Sequence, residues 1–349
     1  MKKINFFLPF YKGISGGYKV VYQYANYLSK KGYDVYIYYD LKEGENKKHI
    51  PKKLMISLRK FWLINYPFYY TLDKNIVQKS VSKINDKTIR EADVNIATTP
   101  SNVHKVYNLN NKSKKIYFIQ GYDIGGITEK ELFDTYKLDM QIVVISKWLK
   151  EKVEKYSVHE PIIIKNGISL EKFKINKKIE DRKKHSVAMI YRRGENKACN
   201  YGIEAIKKLK EEYSDIELNI CGDELEKQYR YDWINSKVNA NEEEVIELLN
   251  NNSIFLCTSI YEGFGLPGLE AMACGCVLVT TDCFGPREYA NDDNAIFCKP
   301  QNVDELVKAI KKYFDNDEFR TNHISKGLQT AKEWDINNSY NKFIELIEG

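Results

Sequence analysis

The chain has 349 residues, 43% of them hydrophobic, which is too long for one typical domain and enough for two cores. No apolar run approaches the ~18 residues of a membrane span. The seven scattered cysteines and five histidines form no CxxC pair and no metal-ligand spacing, which argues against a disulfide scaffold or a zinc site and points to free thiols in a reducing cytosol. The net charge of +6 conceals a split: residues 1–165 hold 29 Lys and Arg against 16 Asp and Glu, and residues 166–349 hold 25 against 32. The basic half is biased toward an anionic partner. Nucleic acid and an anionic membrane surface are both possible on charge alone, and no nucleic-acid motif accompanies the charge.

In chain order, residues 3–9 read as a buried strand. Gly13-Ile14-Ser15-Gly16-Gly17 follows, then a helix over 18–31 and a strand over 34–39. This is a βαβ unit with a glycine loop at the carboxyl end of its first strand, where open α/β sheets bind ligands. It is not GxGxxG, so a dinucleotide fingerprint is not supported. Residues 51–71 interleave Lys52, Lys53, Arg59 and Lys60 with Leu54, Met55, Leu58, Phe61, Trp62 and Tyr66. Such a segment suits a membrane interface, and equally a helix packed on its own domain. Strands follow at 94–97, at 115–119 before Gln120-Gly121-Tyr122-Asp123, and at 141–145, where Ser146 is a natural N-cap for a helix over 147–156. Asn166-Gly167 and the polar run from Lys174 mark the domain boundary.

The second half opens with a strand over 186–191 and then Arg192-Arg193-Gly194-Glu195-Asn196-Lys197. Cations at a strand's carboxyl end suit a diphosphate, and they stabilise a transition state in which its charge grows. A helix over 201–213, a strand over 216–221, a loop around Val238 and Asn239 and a helix over 239–250 lead to the apolar run 254–256. Then comes Glu262-Gly263-Phe264-Gly265-Leu266-Pro267-Gly268-Leu269-Glu270, which reads as a strand, a glycine turn and a helix start with Pro267 at the first helical position. Backbone N–H groups at such a turn favour a phosphate. Carboxylates repel one, so Glu262 and Glu270 are better employed on hydroxyls. A sugar nucleotide offers both groups. A strand over 277–280, a loop over 282–288, a short strand over 295–298 and helices over 303–314, 318–332 and 336–347 complete the chain.

The stretch Glu262 to Gly275, Glu-Gly-Phe-Gly-Leu-x3-Glu-Ala-Met-Ala-x-Gly, resembles the Glu-x7-Glu signature of retaining GT-B glycosyltransferases of family four. The resemblance implies an α/β GT-B architecture: two Rossmann-like, doubly wound domains facing across a cleft, with the C-terminal helix returning to the first domain. Residues 1–165 with 335–349 would form the acceptor-binding domain, and 166–334 the nucleotide-sugar domain. The activity implied is transfer of a sugar from a nucleoside-diphosphate sugar to a glycan or lipid-linked acceptor. Retention at the anomeric carbon, no metal or other cofactor, and a cytoplasmic, peripheral membrane setting in cell-surface polysaccharide or glycolipid synthesis come with it.

Residue by residue, the resemblance places Arg192 and Lys197 on the diphosphate, with the amides of Gly263, Phe264, Gly265 and Leu266 beside it. Glu270 falls on the ribose, Val238 near the nucleobase, Glu262 on the transferred sugar, and Gly16 and Gly17 near the donor phosphates. Two departures stand out. The histidine that many members carry after the strand at 115–119 is absent, so Gln120, Tyr122 or Asp123 would line that place, Asp123 being the catalytic candidate. The glycine usual after the lysine is Ala198. A soluble sugar-phosphate acceptor is a rival within the same chemistry. A GT-B subunit without turnover is a rival outside it, against which the intact Glu262, Arg192, Lys197 and Glu270 argue.

Overall fold

The computed structural model describes residues 1–10, 16–42, 51–65, 70–110, 112–122 and 127–349. The chain divides into two compact units, Met1–Lys165 with Tyr340–Gly349, and Asn166–Ser339.

The first unit begins β1 (Lys3–Pro9), α1 (Gly16–Lys30), β2 (Asp34–Asp40), α2 (Lys52–Asn65), β3 (Val77–Val81) and β4 (Val94–Ala97). It continues α3 (Pro100–Tyr107), β5 (Lys114–Ile119), α4 (Glu129–Tyr136), β6 (Gln141–Val144), α5 (Lys147–Val153) and β7 (Ile162–Ile163). Among the described residues its sheet has seven strands in the order β3-β2-β1-β4-β5-β6-β7, all parallel. Parallel strands covered on both faces read as continuous apolar runs, and Ile4 to Leu8 of β1 and all of β4 are buried accordingly. One polar line crosses this sheet. Asn5 Nδ2 donates to Asn95 Oδ1 at 2.9 Å, Arg90 Nε to Asn5 Oδ1 at 3.0 Å, and Asn95 Nδ2 to Ser113 at 2.8 Å, so these buried amides are satisfied.

The second unit comprises β8 (Ser186–Tyr191), α6 (Cys199–Leu209), β9 (Glu217–Gly222), β10 (Ile234–Val238), α7 (Glu242–Asn251) and β11 (Ile254–Cys257). After these come α8 (Leu266–Ala273), β12 (Val277–Thr281), β13 (Ala295–Cys298), α9 (Val303–Asp315) and α10 (Asp317–Glu333). Its parallel sheet runs β10-β9-β8-β11-β12-β13. The last helix, α11 (Ile336–Glu348), begins in this unit and ends in the first. There Phe343 is fully buried, its ring 4.6 Å from Tyr24 and 5.9 Å from Phe118, and Tyr340 stacks on Tyr27 at 4.1 Å.

Several elements escape the sequence reading. β3 and β10 are edge strands with largely polar, solvent-facing sequences, VQKSV and INSKV, so no apolar alternation announces them. The sequence reading also passes over α4, whose available signal is a capping box: Thr128 accepts from the Glu131 N–H while Glu131 bonds back to the Thr128 N–H. α8 begins at Leu266, so Pro267 occupies its second position, where an N–H is equally unneeded. Ser146 does stand at the N-cap of α5, but its buried hydroxyl bonds no partner, and that helix stops at Val153.

Candidate active site

In each sheet the strand order reverses at one point, between β1 and β4 in the first unit and between β8 and β11 in the second. Crevices outside the carboxyl ends of strands at such points are where open α/β sheets bind ligands. In the second unit, the Arg192–Lys197 loop leaves β8 and the Glu262 turn leaves β11, so both arrive at the reversal.

There Lys197 and Glu262 meet. Lys197 Nζ donates to Glu262 Oε1 at 2.6 Å, and Ser259 Oγ donates to the same oxygen at 2.6 Å. Burial works against the charge on Lys197, but the Glu262 carboxylate outweighs it by attraction and hydrogen bonding, so the lysine pKa rises above its ordinary value. Glu262 is held from behind as well. Its N–H donates to the Cys283 carbonyl at 2.8 Å, and it bridges to Phe284. A Cβ on Gly285 would lie 2.8 Å from the Glu262 carbonyl oxygen and 2.7 Å from the Phe264 backbone, so only glycine lets these two loops approach this closely. Phe284, half exposed, takes a left-handed φ of 69° in the same turn.

The second cation is also paired. Arg192 Nη1 donates to Asp223 Oδ1 at 3.0 Å, and the Arg193 N–H donates to Asp223 Oδ2 at 2.9 Å. Each cation assigned to a diphosphate thus already faces a carboxylate, one at the end of β9 and one after β11.

At the head of α8, Gly265 takes φ 82°, which a side chain would strain. Its carbonyl accepts from Tyr289 Oη at 2.7 Å. The Phe264 ring is buried against Tyr289 and Trp334, with centroids 5.4 and 5.3 Å away, so Phe264 has only its backbone to offer a ligand. The Leu266 side chain is likewise buried, and Glu270 is only 4% exposed within α8. Val238 is the exposed last residue of β10, and the Asn239 N–H after it donates to the Gly222 carbonyl at 2.9 Å. It is a strand end rather than the loop expected.

In the first unit, Gly16 and Gly17 form the first turn of α1, and a Cβ on Gly16 would meet open space. Gln120 Nε2 donates to the Gly17 carbonyl at 3.1 Å, while Gln120 Oε1 is buried without a hydrogen bond. Tyr122 Oη bonds Glu129. Asp123 and Gly13 to Ser15 lie outside the described residues. On α2, Met55 and Arg59 face inward, with Arg59 Nη1 on the Leu41 carbonyl at 2.7 Å. Leu54, Leu58 and Phe61 are exposed by 53%, 48% and 63%, at helical spacing of four and three. Residues 66–69 of that segment lie outside the described residues.

Among the described residues no three His, Cys, Asp or Glu gather to hold a metal, and no helix is long and apolar enough to cross a membrane. The Asp-x-Asp triplet Asp315-Asn316-Asp317 sits between α9 and α10, with Asp315 on Tyr213 and Lys311 and Asp317 on Lys184 and Arg320. The sequence reading gave Ser259 and Asp223 no role. A hydroxyl three residues before the motif glutamate and a carboxylate after Gly222 were the available signals.

Residues 171–330 match the family model described as Glycosyl transferases group 1. That segment holds Arg192, Lys197, Val238, Glu262 and Glu270, and excludes Gly16, Gly17 and Asp123. The chain is 31% identical over 106 residues to the N,N'-diacetylbacillosaminyl-diphospho-undecaprenol alpha-1,3-N-acetylgalactosaminyltransferase of Campylobacter jejuni, covering 30% of this chain and 28% of that protein. It is 31% identical over 114 residues to the O-antigen chain mannosyltransferase B of Escherichia coli, covering 33% of this chain and 30% of that protein. The overlap is therefore less than a third of the length of either relative. Among solved structures, Anabaena HepE in complex with UDP and glucose is similar over 100% of both chains, with a TM-score of 0.77 at 13% identity. That likeness establishes the fold, which is GT-B.

Proposed function

We propose that the protein is a glycosyltransferase that moves a sugar from a nucleoside-diphosphate sugar to a glycan or lipid-linked acceptor. The observation that carries this reading is the Lys197–Glu262 contact at the β8/β11 reversal, inside the segment that matches the group 1 family. In this reading the incoming diphosphate competes with Glu262 and Asp223 for Lys197 and Arg192. Released from Lys197, Glu262 turns to the hydroxyls of the transferred sugar, where its charge also favours the positive character that develops on the ring. Arg192 and Lys197 neutralise the departing diphosphate more strongly than the bound substrate, which lowers the barrier rather than only tightening binding. Glu270 takes the ribose hydroxyls and the Val238–Asn239 backbone the nucleobase. Transfer proceeds with retention and without a metal, the leaving phosphate accepting the acceptor's proton.

The relatives' names, a diphospho-undecaprenol sugar transferase and an O-antigen mannosyltransferase, favour a lipid-linked or polysaccharide acceptor in cell-surface glycan synthesis. The positive balance of residues 1–165 and the exposed Leu54, Leu58 and Phe61 on α2 support docking of the first unit on an anionic, cytoplasmic membrane face. A panel of nucleoside-diphosphate sugars tested for slow hydrolysis, with Glu262→Ala as control, tests the reading. Release of sugar from one donor, lowered by about 10²–10³-fold but still measurable in the substituted chain, is the expected result, and hydrolysis of none of them contradicts it.

A further inference from the structure

We propose that Asn196 is a positioning residue that fixes Lys197 against Glu262, an inference that rests on reading this pair as the donor-sugar site. The two loops that must meet come from different strands. β8 and β11 are paired only at Val187 with Ile254 and Ala188 with Phe255, so the sheet ladder ends well before either loop begins. Past that point Asn196 supplies the missing pairing. Its carbonyl accepts from the Ile260 N–H at 2.7 Å. Its side-chain amide engages both polar backbone groups of Tyr261, Oδ1 accepting from the N–H at 3.1 Å and Nδ2 donating to the carbonyl at 3.1 Å. Thr258 Oγ1 adds a bond to the Lys197 carbonyl at 2.9 Å.

The loop needs this hold. It is a single 3-10 turn, Glu195–Lys197, bounded by Gly194 at φ 140° and Ala198 at φ 46°, so regular structure does not fix it. Nor does the ion pair, since lysine is a point charge on a flexible four-carbon stem. A clasp on the neighbouring peptides sets where that stem starts. Asn196 touches no donor atom in this account and acts through Lys197 and Glu262.

The test uses the full chain and the nucleoside-diphosphate sugar hydrolysed fastest in the panel. Misplacement of catalytic groups by a fraction of an ångström to one ångström costs about 10–100-fold. Asn196→Ala is therefore expected to lower kcat by about that factor. Nucleoside-diphosphate affinity should stay within about 3-fold and the melting temperature within about 3 °C, which separates positioning from folding. Asn196→Asp keeps the acceptor but sets a carboxylate oxygen against the Tyr261 carbonyl, and should fall as far. In a Glu262→Ala background, Asn196→Ala should cost nothing further, because residues acting as one unit are not additive. An unchanged kcat in Asn196→Ala, or an equal loss in the Glu262→Ala background, overturns the proposal while leaving the donor site standing. A rate loss that tracks a collapse in melting temperature reduces Asn196 to a structural residue. If the wild-type chain hydrolyses no donor, the donor-site reading fails and this inference falls with it.

Discussion

Each unit starts a helix after a strand that flanks the reversal of its strand order, yet the two helix starts are built differently. The β11–α8 turn carries Glu262 and Glu270 and meets Lys197 through a 2.6 Å contact, with Ser259, Cys283 and Gly285 packed behind. At the start of α1 stand two glycines, braced by the Gln120 amide at 3.1 Å, with no charged side chain in the bond. Among the described residues, the start of α8 is ringed by paired charges, while the start of α1 offers backbone and, at Gly16, open space. In the proposed function, transfer of one fixed group, a sugar on a diphosphate, would demand particular charges, whereas admitting an acceptor would demand shape.

That contrast breaks most readily at Glu262. Glu262→Gln should lower sugar transfer by about 10²–10³-fold, the scale of losing one group that stabilises a transition state. Gln120→Ala in the first unit should cost less than about 10-fold. Steady-state kinetics on both variants decide it, and equal losses would erase the distinction between the two helix starts.

The same contrast explains what was legible. Arg192, Lys197, Glu262 and Glu270 stand out in the chain because the chemistry proposed for them depends on residue type at fixed spacing, and the structure brings Lys197 onto Glu262. The parallel sheets announced themselves through runs such as Val277-Leu278-Val279. What stayed hidden depends on tertiary context. Asp223 and Ser259 gain meaning only when β9 and β11 bring them beside Arg192 and Glu262. The polar edge strands β3 and β10 form because a neighbouring strand offers hydrogen bonds, whatever their own pattern. For 51–71 the sequence left membrane and core readings open; α2 buries Met55 and Arg59, as core packing requires, and exposes Leu54, Leu58 and Phe61, the face on which the proposed membrane docking rests.

That outer face sharpens the comparison next. Leu54→Glu, Leu58→Glu and Phe61→Glu combined should weaken co-sedimentation with liposomes containing anionic lipid by about 100-fold, at roughly 1 kcal/mol for each half-exposed side chain. Hydrolysis of a soluble donor should be unaffected. Binding that survives the triple substitution would move the docking surface elsewhere.

A smaller effect is expected at Ala198, whose left-handed φ of 46° costs about 1–2 kcal/mol for a residue with a Cβ. Ala198→Gly relieves that strain but loses a buried methyl and adds chain entropy. With about 0.8 kcal/mol for the methyl and about 0.5–1 kcal/mol for the entropy, the terms nearly cancel, and the melting temperature should move by no more than a few degrees. A larger fall would show that the methyl's packing outweighs the strain. Because the Lys197 pKa is raised, its ion pair contributes fully below the ordinary lysine value and is lost only as pH climbs through the raised one. Donor binding should therefore show no titration of Lys197 between about pH 6 and 9.

The central claim is that the second unit holds a nucleoside diphosphate on Lys197 and Arg192. Calorimetric titration of the full chain with a panel of nucleoside diphosphates tests it directly. One of them should bind, and Lys197→Ala and Arg192→Ala should each weaken that binding by about 10–100-fold, the worth of a charge-assisted hydrogen bond. Binding of none of them, or binding indifferent to both substitutions, would contradict it.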